Sequence, residues 1–364
     1  SLGGGGSEVA LIELINALPE ELYNITLVLL DSDNEYAYRL KKNVNIVQLT
    51  FNSSFAKSLV SMYAFPAKVL KKLSVNSFIP YYDFISNCVT NVFEKTYDIA
   101  IDFYGYGSFV TAFLATKIQA KKKATWLHDE KPYWMKSVQK YLCEYDKIYG
   151  VSQAVVDAFC REYPHYKDKA AVFYNVIDIE EIKRKSEQDE IIPFKESFNI
   201  VTVGRLTEQK GYDIAIKAAS ILKKRKINFA WYAIGGGRDE KKLKKLVEKY
   251  CLENQFVFLG RKKNPYPYMK HCDLYVQPSR HEGYVITLVE ARALCLPILS
   301  SDIPSAREQI QDGINGYVAE LSAEDLADKI EYLYNNPSQR KKTVEYLKEH
   351  PIDFSTELLK LEII

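Results

Sequence analysis

Between residues 198 and 302 the chain alternates without a break between short apolar runs and amphipathic stretches. "FNIVTVGRL" (198–206) predicts a buried strand that runs into a loop. "GYDIAIKAASILKKRK" (211–226) has helical apolar spacing at Ile214, Ala218, Ile221 and Leu222. "FAWYAIGGG" (229–237) reads as a second strand ending in glycines, and "DEKKLKKLVEKYCLE" (239–253) as a charged amphipathic helix. Then come the strand "FVFLG" (256–260), a short helix around "PYMKHC", the strand "DLYVQPS" (273–279), a helix over 285–295 and the strand "PILSSD" (297–302). Such alternation predicts a doubly wound parallel α/β domain.

The first half repeats the theme less regularly. A helix is expected over 7–19, strands at "NITLVLLD", "VNIVQLT", "DIAIDFYG", "KKATWLHD", "DKIYGVS" and "AAVFYNVI", and a helix over 153–164. At 364 residues the chain exceeds the roughly 250–300 residues of a single core. Two Rossmann-like domains are therefore expected, over 1–180 and over 181–347. The charged stretch 178–197, with the composition of a linker or a surface helix, is expected to join them. A C-terminal helix over 348–364 is expected to pack back on the first domain. The opening "SLGGGGSEVA" has no initiating Met, and a first strand is expected to be missing before it.

The composition excludes several classes. A net charge of +2 is too small to imply a nucleic-acid partner. The six cysteines show no metal-like or redox-like spacing and read as thiols of a reducing compartment. No apolar run approaches the roughly 18 residues of a membrane span, and no secretory signal is visible. The expectation is a cytoplasmic protein, with association at the inner face of the membrane left open.

In open α/β sheets, ligands bind beyond the carboxyl ends of the strands, and domain interfaces favour small-molecule sites. Several polar residues fall at those predicted strand ends. Arg205 ends one strand, and Lys210 lies just before Gly211 and a helix. They are either solvated loop charges or a fork and a point charge for phosphate oxygens. In "SRHEGYVITLVEARALCLP" (279–297) two glutamates, Glu282 and Glu290, stand in a mostly apolar stretch. Eight helical residues rotate by roughly 80° beyond two full turns, so helical periodicity alone does not put both on one face. Glu282 precedes the helix, however, and both can flank a ligand at its N-terminus, where the N–H groups of Val285, Ile286 and Thr287 favour a diphosphate. The plainer reading is a loop residue, Glu282, and a Glu290 paired with Arg292 or a distant lysine. His128, in "TWLHDE", is either a structural histidine or a contact for the reacting group. The glycines of "GGGGSE" (3–8) and "IGGGRDE" (234–240) let backbone approach a phosphate, but neither run is GxGxxG, which weakens an oxidoreductase reading. "DSD" (31–33) is similar to a metal-binding DxD but reads as a polar turn.

Taken in order and spacing, these residues resemble the retaining glycosyltransferases of family 4, which have the GT-B fold. The matching features are GGxE at Gly5, Gly6 and Glu8, the strand-end His128, GRLxxxKG at 204–211, the EX7E pair Glu282 and Glu290, and "EQIQDGINGYVAE" (308–320). The resemblance implies roles. Arg205 and Lys210 would hold the donor diphosphate, Glu282 the donor-sugar hydroxyls and Glu290 the ribose. His128 would reach the donor sugar. Gly5, Gly6, Gly204, Gly235, Gly236, Arg261, Gly283 and Tyr284 would line the donor site with Val285, Ile286 and Thr287. Loop backbone near 235–238 and 260–263 would select the base. No metal and no cofactor are implied. Two departures are Cys295, where Gly is common, and Val285, where a smaller residue or Pro is common.

The implied reaction moves a hexose-type sugar, with anomeric configuration retained, from a nucleotide sugar to a glycan or lipid-linked acceptor in bacterial-type polysaccharide or cell-envelope biosynthesis. A UDP-sugar is the favoured donor, with GDP-mannose served by the same contacts. Residues 51–93 interleave aromatics with Lys57, Lys68, Lys71 and Lys72. They would suit either an anionic membrane surface or an ordinary half-buried helix. The competing readings are another GT-B enzyme, such as an epimerase or a phosphorylase-like glucan enzyme, and a catalytically inactive nucleotide-sugar-binding partner subunit.

Overall fold

The protein is described from a computed structural model covering residues 6–30, 36–52, 79–89, 93, 95–105, 109–190 and 192–362. Gly5, the DSD run and most of 51–93 lie outside the described residues. The chain divides into two compact units, residues 1–177 with 354–364, and residues 178–353.

The first unit opens with helix α1 (Gly6–Ala17). It is followed by the parallel pair β1 (Thr26–Leu29) and β2 (Asn45–Gln48). Helix α2 spans Ile79–Cys88. A parallel sheet in the order β3–β4–β5–β6 is built from Tyr97–Asp102, Ala120–Leu127, Lys147–Gly150 and Ala170–Val172. Helix α3 (Phe109–Lys117) follows β3, and α4 (Gln153–Glu162) follows β5. Ser152 caps α4 by accepting from the Val155 amide at 3.2 Å. Trp126, Tyr149 and Phe173 pack as an aromatic core on this sheet.

The second unit begins with α5 (Ile179–Ser186), whose first turn is capped by Asp178, accepting from the Glu181 amide at 2.8 Å. The charged stretch expected to be a join therefore starts as a helix of this unit. Asn264 fixes it by donating to the Lys185 carbonyl at 2.8 Å. The central sheet has the order β12–β11–β10–β7–β8–β9. Its strands are β7 (Phe198–Val203), β8 (Phe229–Ile234), β9 (Phe256–Gly260), β10 (Leu274–Gln277), β11 (Ile298–Ser301) and β12 (Tyr317–Ala319), all parallel. Helices α6 (Tyr212–Lys224), α7 (Glu240–Lys249), α8 (Tyr266–Lys270), α9 (Ile286–Ala293) and α10 (Pro304–Arg307) connect them. Helices α11 (Ala323–Asn335) and α12 (Pro337–Glu349) close the unit.

Both faces of this sheet are covered, which is why β7 and β8 read as nearly continuous apolar runs. Alternate residues enter two cores. Ile200, Trp231 and Leu274 pack with Leu222 and Ile330 on one face; Val201, Tyr232 and Tyr275 pack with Leu288 on the other. Burial of the polar atoms in these strands is compensated. Trp231 donates to Thr202 Oγ1 at 3.0 Å, and Thr202 donates to the Val276 carbonyl at 2.8 Å.

The chain returns to the first unit through α13 (Ser355–Leu359). There Glu357 accepts from the Tyr174 amide at 3.0 Å, and Lys360 donates to the Val172 carbonyl at 3.0 Å. Both bonds cap the end of β6. The segment expected as one helix over 348–364 is thus split. Glu349 ends α12 in the second unit, and only residues 354–364 group with the first.

Candidate donor-sugar site

The strand order of the second unit reverses beside β7. Chain order runs outward through β8 and β9 on one side, and through β10, β11 and β12 on the other. A crevice opens at the carboxyl ends of the strands at such a switch point. The loops after β7 and β10 flank it, and they carry Arg205, Lys210 and Glu282.

The loop after β7 is held down by close backbone stacking. Gly235 has φ +147°, and a Cβ there would stand 1.9 Å from the Gly204 carbonyl oxygen. The Leu206 amide donates to the Gly236 carbonyl at 3.1 Å. Arg261, at the end of β9, lies against Gly236 on the outer side of this stack, where a Cβ would meet its Nε at 3.0 Å. Gly204, Gly235, Gly236 and Arg261 are therefore brought together. Gly211, at φ +66°, turns the chain into α6, and a Cβ would stand 1.8 Å from the Pro278 carbonyl oxygen. No other residue type fits that approach.

This turn presents Lys210 to Glu282. Lys210 Nζ lies 2.6 Å from Glu282 Oε1, and both side chains are largely shielded from solvent. The same oxygen accepts from Ser279 Oγ at 2.6 Å. Glu282 Oε2 has no protein partner among the described residues. The pairing is stabilised from below by a buried chain. Tyr275 OH and Thr287 Oγ1 both donate to Gln277 Oε1, at 2.7 and 2.8 Å. Gln277 Nε2 donates to Ser279 Oγ at 2.7 Å. Burial keeps the Tyr275 phenol well above its ordinary pKa, so it remains a hydrogen-bond donor.

Arg205 differs from Lys210. Its side chain is exposed and has no partner among the described residues. Gly283 and Tyr284 lead into α9, which has no side-chain cap at Val285. The Ile286 amide donates to the Tyr284 carbonyl at 3.1 Å. Among the described residues the amides of Val285 and Thr287 have no acceptor, so the helix start offers two open N–H groups. Thr287 contributes its amide only, because its hydroxyl is turned inward to Gln277. Glu290, one turn further, accepts from Tyr266 OH at 3.0 Å.

Two residues that the sequence reading passed over organise the β7–α6 loop. Arg280 donates twice to Asp213, at 2.7 and 2.8 Å, and once to the Glu208 carbonyl at 2.7 Å. Its own amide donates to the Gln209 carbonyl at 2.8 Å, and Gln209 Nε2 returns a bond to the His281 carbonyl at 3.0 Å. The loops bearing Lys210 and Glu282 are thus tied together on both sides of the pair. An Arg and an Asp 67 positions apart leave no local pattern that would have revealed them.

His128 and Gly6 belong to the first unit. Gly6 starts α1. His128 follows β4, and its Nε2 donates to the Phe103 carbonyl at 2.6 Å, a tautomer assigned from that bond. Burial lowers its pKa to about 4, despite the opposing effect of the carbonyl, so the ring is neutral near pH 7. Phe103 is held in turn by Asp102, a fully buried carboxylate that the sequence reading also missed. Asp102 accepts from Thr111 at 2.6 Å, Thr125 at 3.1 Å and the Gly105 amide at 3.1 Å. Desolvation raises its pKa despite those bonds.

Among the described residues there is no group of three or more His, Cys, Asp or Glu placed to hold a metal ion. No helix among them is long and apolar enough to cross a membrane.

A parallel Rossmann-like unit with a switch-point site, preceded by a second parallel α/β unit, defines the class: the fold is GT-B. HepE of Anabaena in complex with UDP superposes with a TM-score of 0.74 at 17% identity, covering 99% of this chain and 96% of that one. Residues 183–350 match the family model "Glycosyl transferases group 1" and form a domain of that type. An uncharacterized glycosyltransferase of Methanocaldococcus jannaschii is 33% identical over 172 residues, 46% of this chain and 40% of the relative. The N-acetylgalactosamine-N,N'-diacetylbacillosaminyl-diphospho-undecaprenol 4-alpha-N-acetylgalactosaminyltransferase of Campylobacter jejuni is 30% identical over 184 residues, 48% of this chain and 49% of the relative. The matched parts thus span about half or less of those two relatives' lengths.

Proposed function

We propose that the protein is a retaining, metal-independent glycosyltransferase that moves a hexose-type sugar from a nucleotide sugar to a glycan or lipid-linked acceptor in polysaccharide or cell-envelope assembly. The observation that carries this reading is Glu282. One of its oxygens is saturated by Lys210 and Ser279, and the other is open at the switch point. A buried carboxylate acceptor of that kind suits a sugar hydroxyl. Exposed Arg205 and the open amides of Val285 and Thr287 suit a diphosphate. Glu290, which accepts from Tyr266 OH, would take the ribose hydroxyls.

In the proposed reaction, negative charge develops on the departing diphosphate. Arg205, Lys210 and the two amides neutralise it without a metal, which would be the main electrostatic contribution to rate. His128, being neutral, contacts the donor sugar through hydrogen bonding rather than as a cation.

A UDP-sugar is the favoured donor, supported by the UDP named in the HepE complex; GDP-mannose is the other donor the same contacts admit. The lipid-linked acceptor is supported by the diphospho-undecaprenol named for the Campylobacter relative. Cytoplasmic placement with peripheral contact to anionic lipid through 51–93 belongs to the same reading. The test is thermal-shift screening with UDP, GDP, their sugar conjugates and EDTA, followed by product stereochemistry. A stabilising shift with one nucleotide family and an α-linked product from an α-linked donor support it. Inverted product, or turnover abolished by EDTA and restored by metal, would overturn it.

A further inference from the structure

We propose that Gln277 is the positioning residue for the sugar-contacting carboxylate. Its side-chain amide fixes the direction of the buried proton-donor chain, so that the Ser279 hydroxyl donates to Glu282 and to nothing else. The proposal rests on the reading that Glu282 Oε2 accepts a donor-sugar hydroxyl.

Gln277 and Ser279 have no solvent exposure, so no water competes for their bonds. Gln277 Oε1 is occupied by two hydroxyl donors, Tyr275 and Thr287. That occupancy sets the amide: a flipped amide would aim N–H groups at both hydroxyls, and although one proton could pass between Tyr275 and Thr287, which lie within hydrogen-bonding reach of each other, the second would lose its acceptor. With the amide set, Nε2 donates to Ser279 Oγ. Ser279 has one proton, and it goes to Glu282 Oε1 at 2.6 Å. Glu282 Oε1 is thereby held by Lys210 and Ser279 together. Oε2 is left as the acceptor without a partner among the described residues.

Gln277→Glu keeps the size but offers only acceptors when ionised. Ser279 would then donate to residue 277 and abandon Glu282. Gln277→Met keeps the length and removes the amide. The experiment measures Kd for UDP and for UDP-sugar by calorimetry in wild type, Gln277→Met, Gln277→Glu, Ser279→Ala and the Gln277→Met/Ser279→Ala double variant. Thermal unfolding confirms that each is folded. Losing one hydrogen bond to a charged group corresponds to about 10- to 100-fold. The expected result is that UDP-sugar binding weakens by that factor in each single variant while UDP binding changes by less than about threefold, because only the sugar meets Glu282. In the Ser279→Ala background, Gln277→Met should add almost nothing. Equal weakening of both ligands, or additive effects of the two substitutions, would overturn the proposal.

A ligand-free arm separates the two readings. In the wild-type NMR spectrum, the Gln277 side-chain NH2 signals are assigned by their loss in Gln277→Met. They should shift and lose exchange protection in Ser279→Ala. If no nucleotide sugar binds the wild type, the donor reading fails while this link remains measurable. If the Gln277 signals are indifferent to Ser279, the positioning role itself fails.

Discussion

Lys210 Nζ stands 2.6 Å from Glu282 Oε1, and each is the other's only charged partner among the described residues. Removing either leaves an uncompensated charge in a poorly solvated place. Breaking a buried pair from one side costs about 3–5 kcal/mol, far more than the pair's net worth. Lys210→Ala should therefore approach that loss in urea unfolding, partly offset because Ser279 still donates to Glu282. Adding Glu282→Gln should recover much of it, since a neutral amide needs no cation. Lys210→Ala should also lower turnover by roughly 10²–10³-fold, as for loss of a preorganised donor at a developing charge. A double variant no more stable than the single would show that the pair is not coupled.

Arg205 is the contrasting cation. It is exposed and pairs with no described residue. Surface substitutions of this kind change stability by less than about 0.5 kcal/mol. Arg205→Ala should unfold at the wild-type urea midpoint and yet lose roughly 10²–10³-fold in turnover. Wild-type turnover would remove Arg205 from the diphosphate site.

The Arg280–Asp213 fork predicts a stability effect with a defined pH window. Burial of Asp213 works to raise its pKa, but the hydrogen bonds and charge of Arg280 outweigh it and the net shift is downward. A carboxylate with a depressed folded pKa contributes stability above its unfolded value of about 3.9, and loses it as pH falls through the folded value. Arg280→Ala should accordingly destabilise by about 1–3 kcal/mol at pH 7, the scale of a charge-assisted hydrogen bond. The difference from wild type should hold above about pH 5 and shrink below about pH 4. A difference independent of pH down to 3 would mean that the fork acts through packing alone.

The alternation of 198–302 made the second unit legible because its strands are buried on both faces and its helices on one, so the two periods contrast strongly. Glu282 and Lys210 could be singled out because a charge at the end of an apolar run is conspicuous. Arg280, Asp213 and Gln277 could not. Their roles arise from loops that meet only after folding, and a polar residue at 277 looks like any strand end. Asp102 was hidden differently: an acid closing the strand "DIAID" reads as a solvent-facing end, whereas it is buried beneath Thr111 and Thr125. The 178–197 stretch left a linker and a surface helix open because its charge suits both; α5 shows the helix, which buries Ile182.

His128 offers a test in the first unit. Burial lowers its pKa to about 4, against about 6.5 for an unfolded histidine. Between those values the unfolded chain binds a proton that the folded chain does not, so stability rises with pH there. The contribution is fully present above about pH 6.5 and is lost as pH falls toward 4, by at most about 3 kcal/mol. Partial solvent access to the half-buried ring makes the measured loss smaller. His128→Asn retains a hydrogen-bond donor and removes the titration. Its unfolding free energy should therefore be flatter with pH than that of wild type between 6.5 and 4, while Asp102 remains in both proteins and cancels from the comparison. The same depression keeps the ring neutral through pH 5–8, so the turnover of the wild type should show no inflection from His128 in that range. Parallel stability profiles for the two proteins would mean that His128 titrates normally and that its burial does not fix the neutral form.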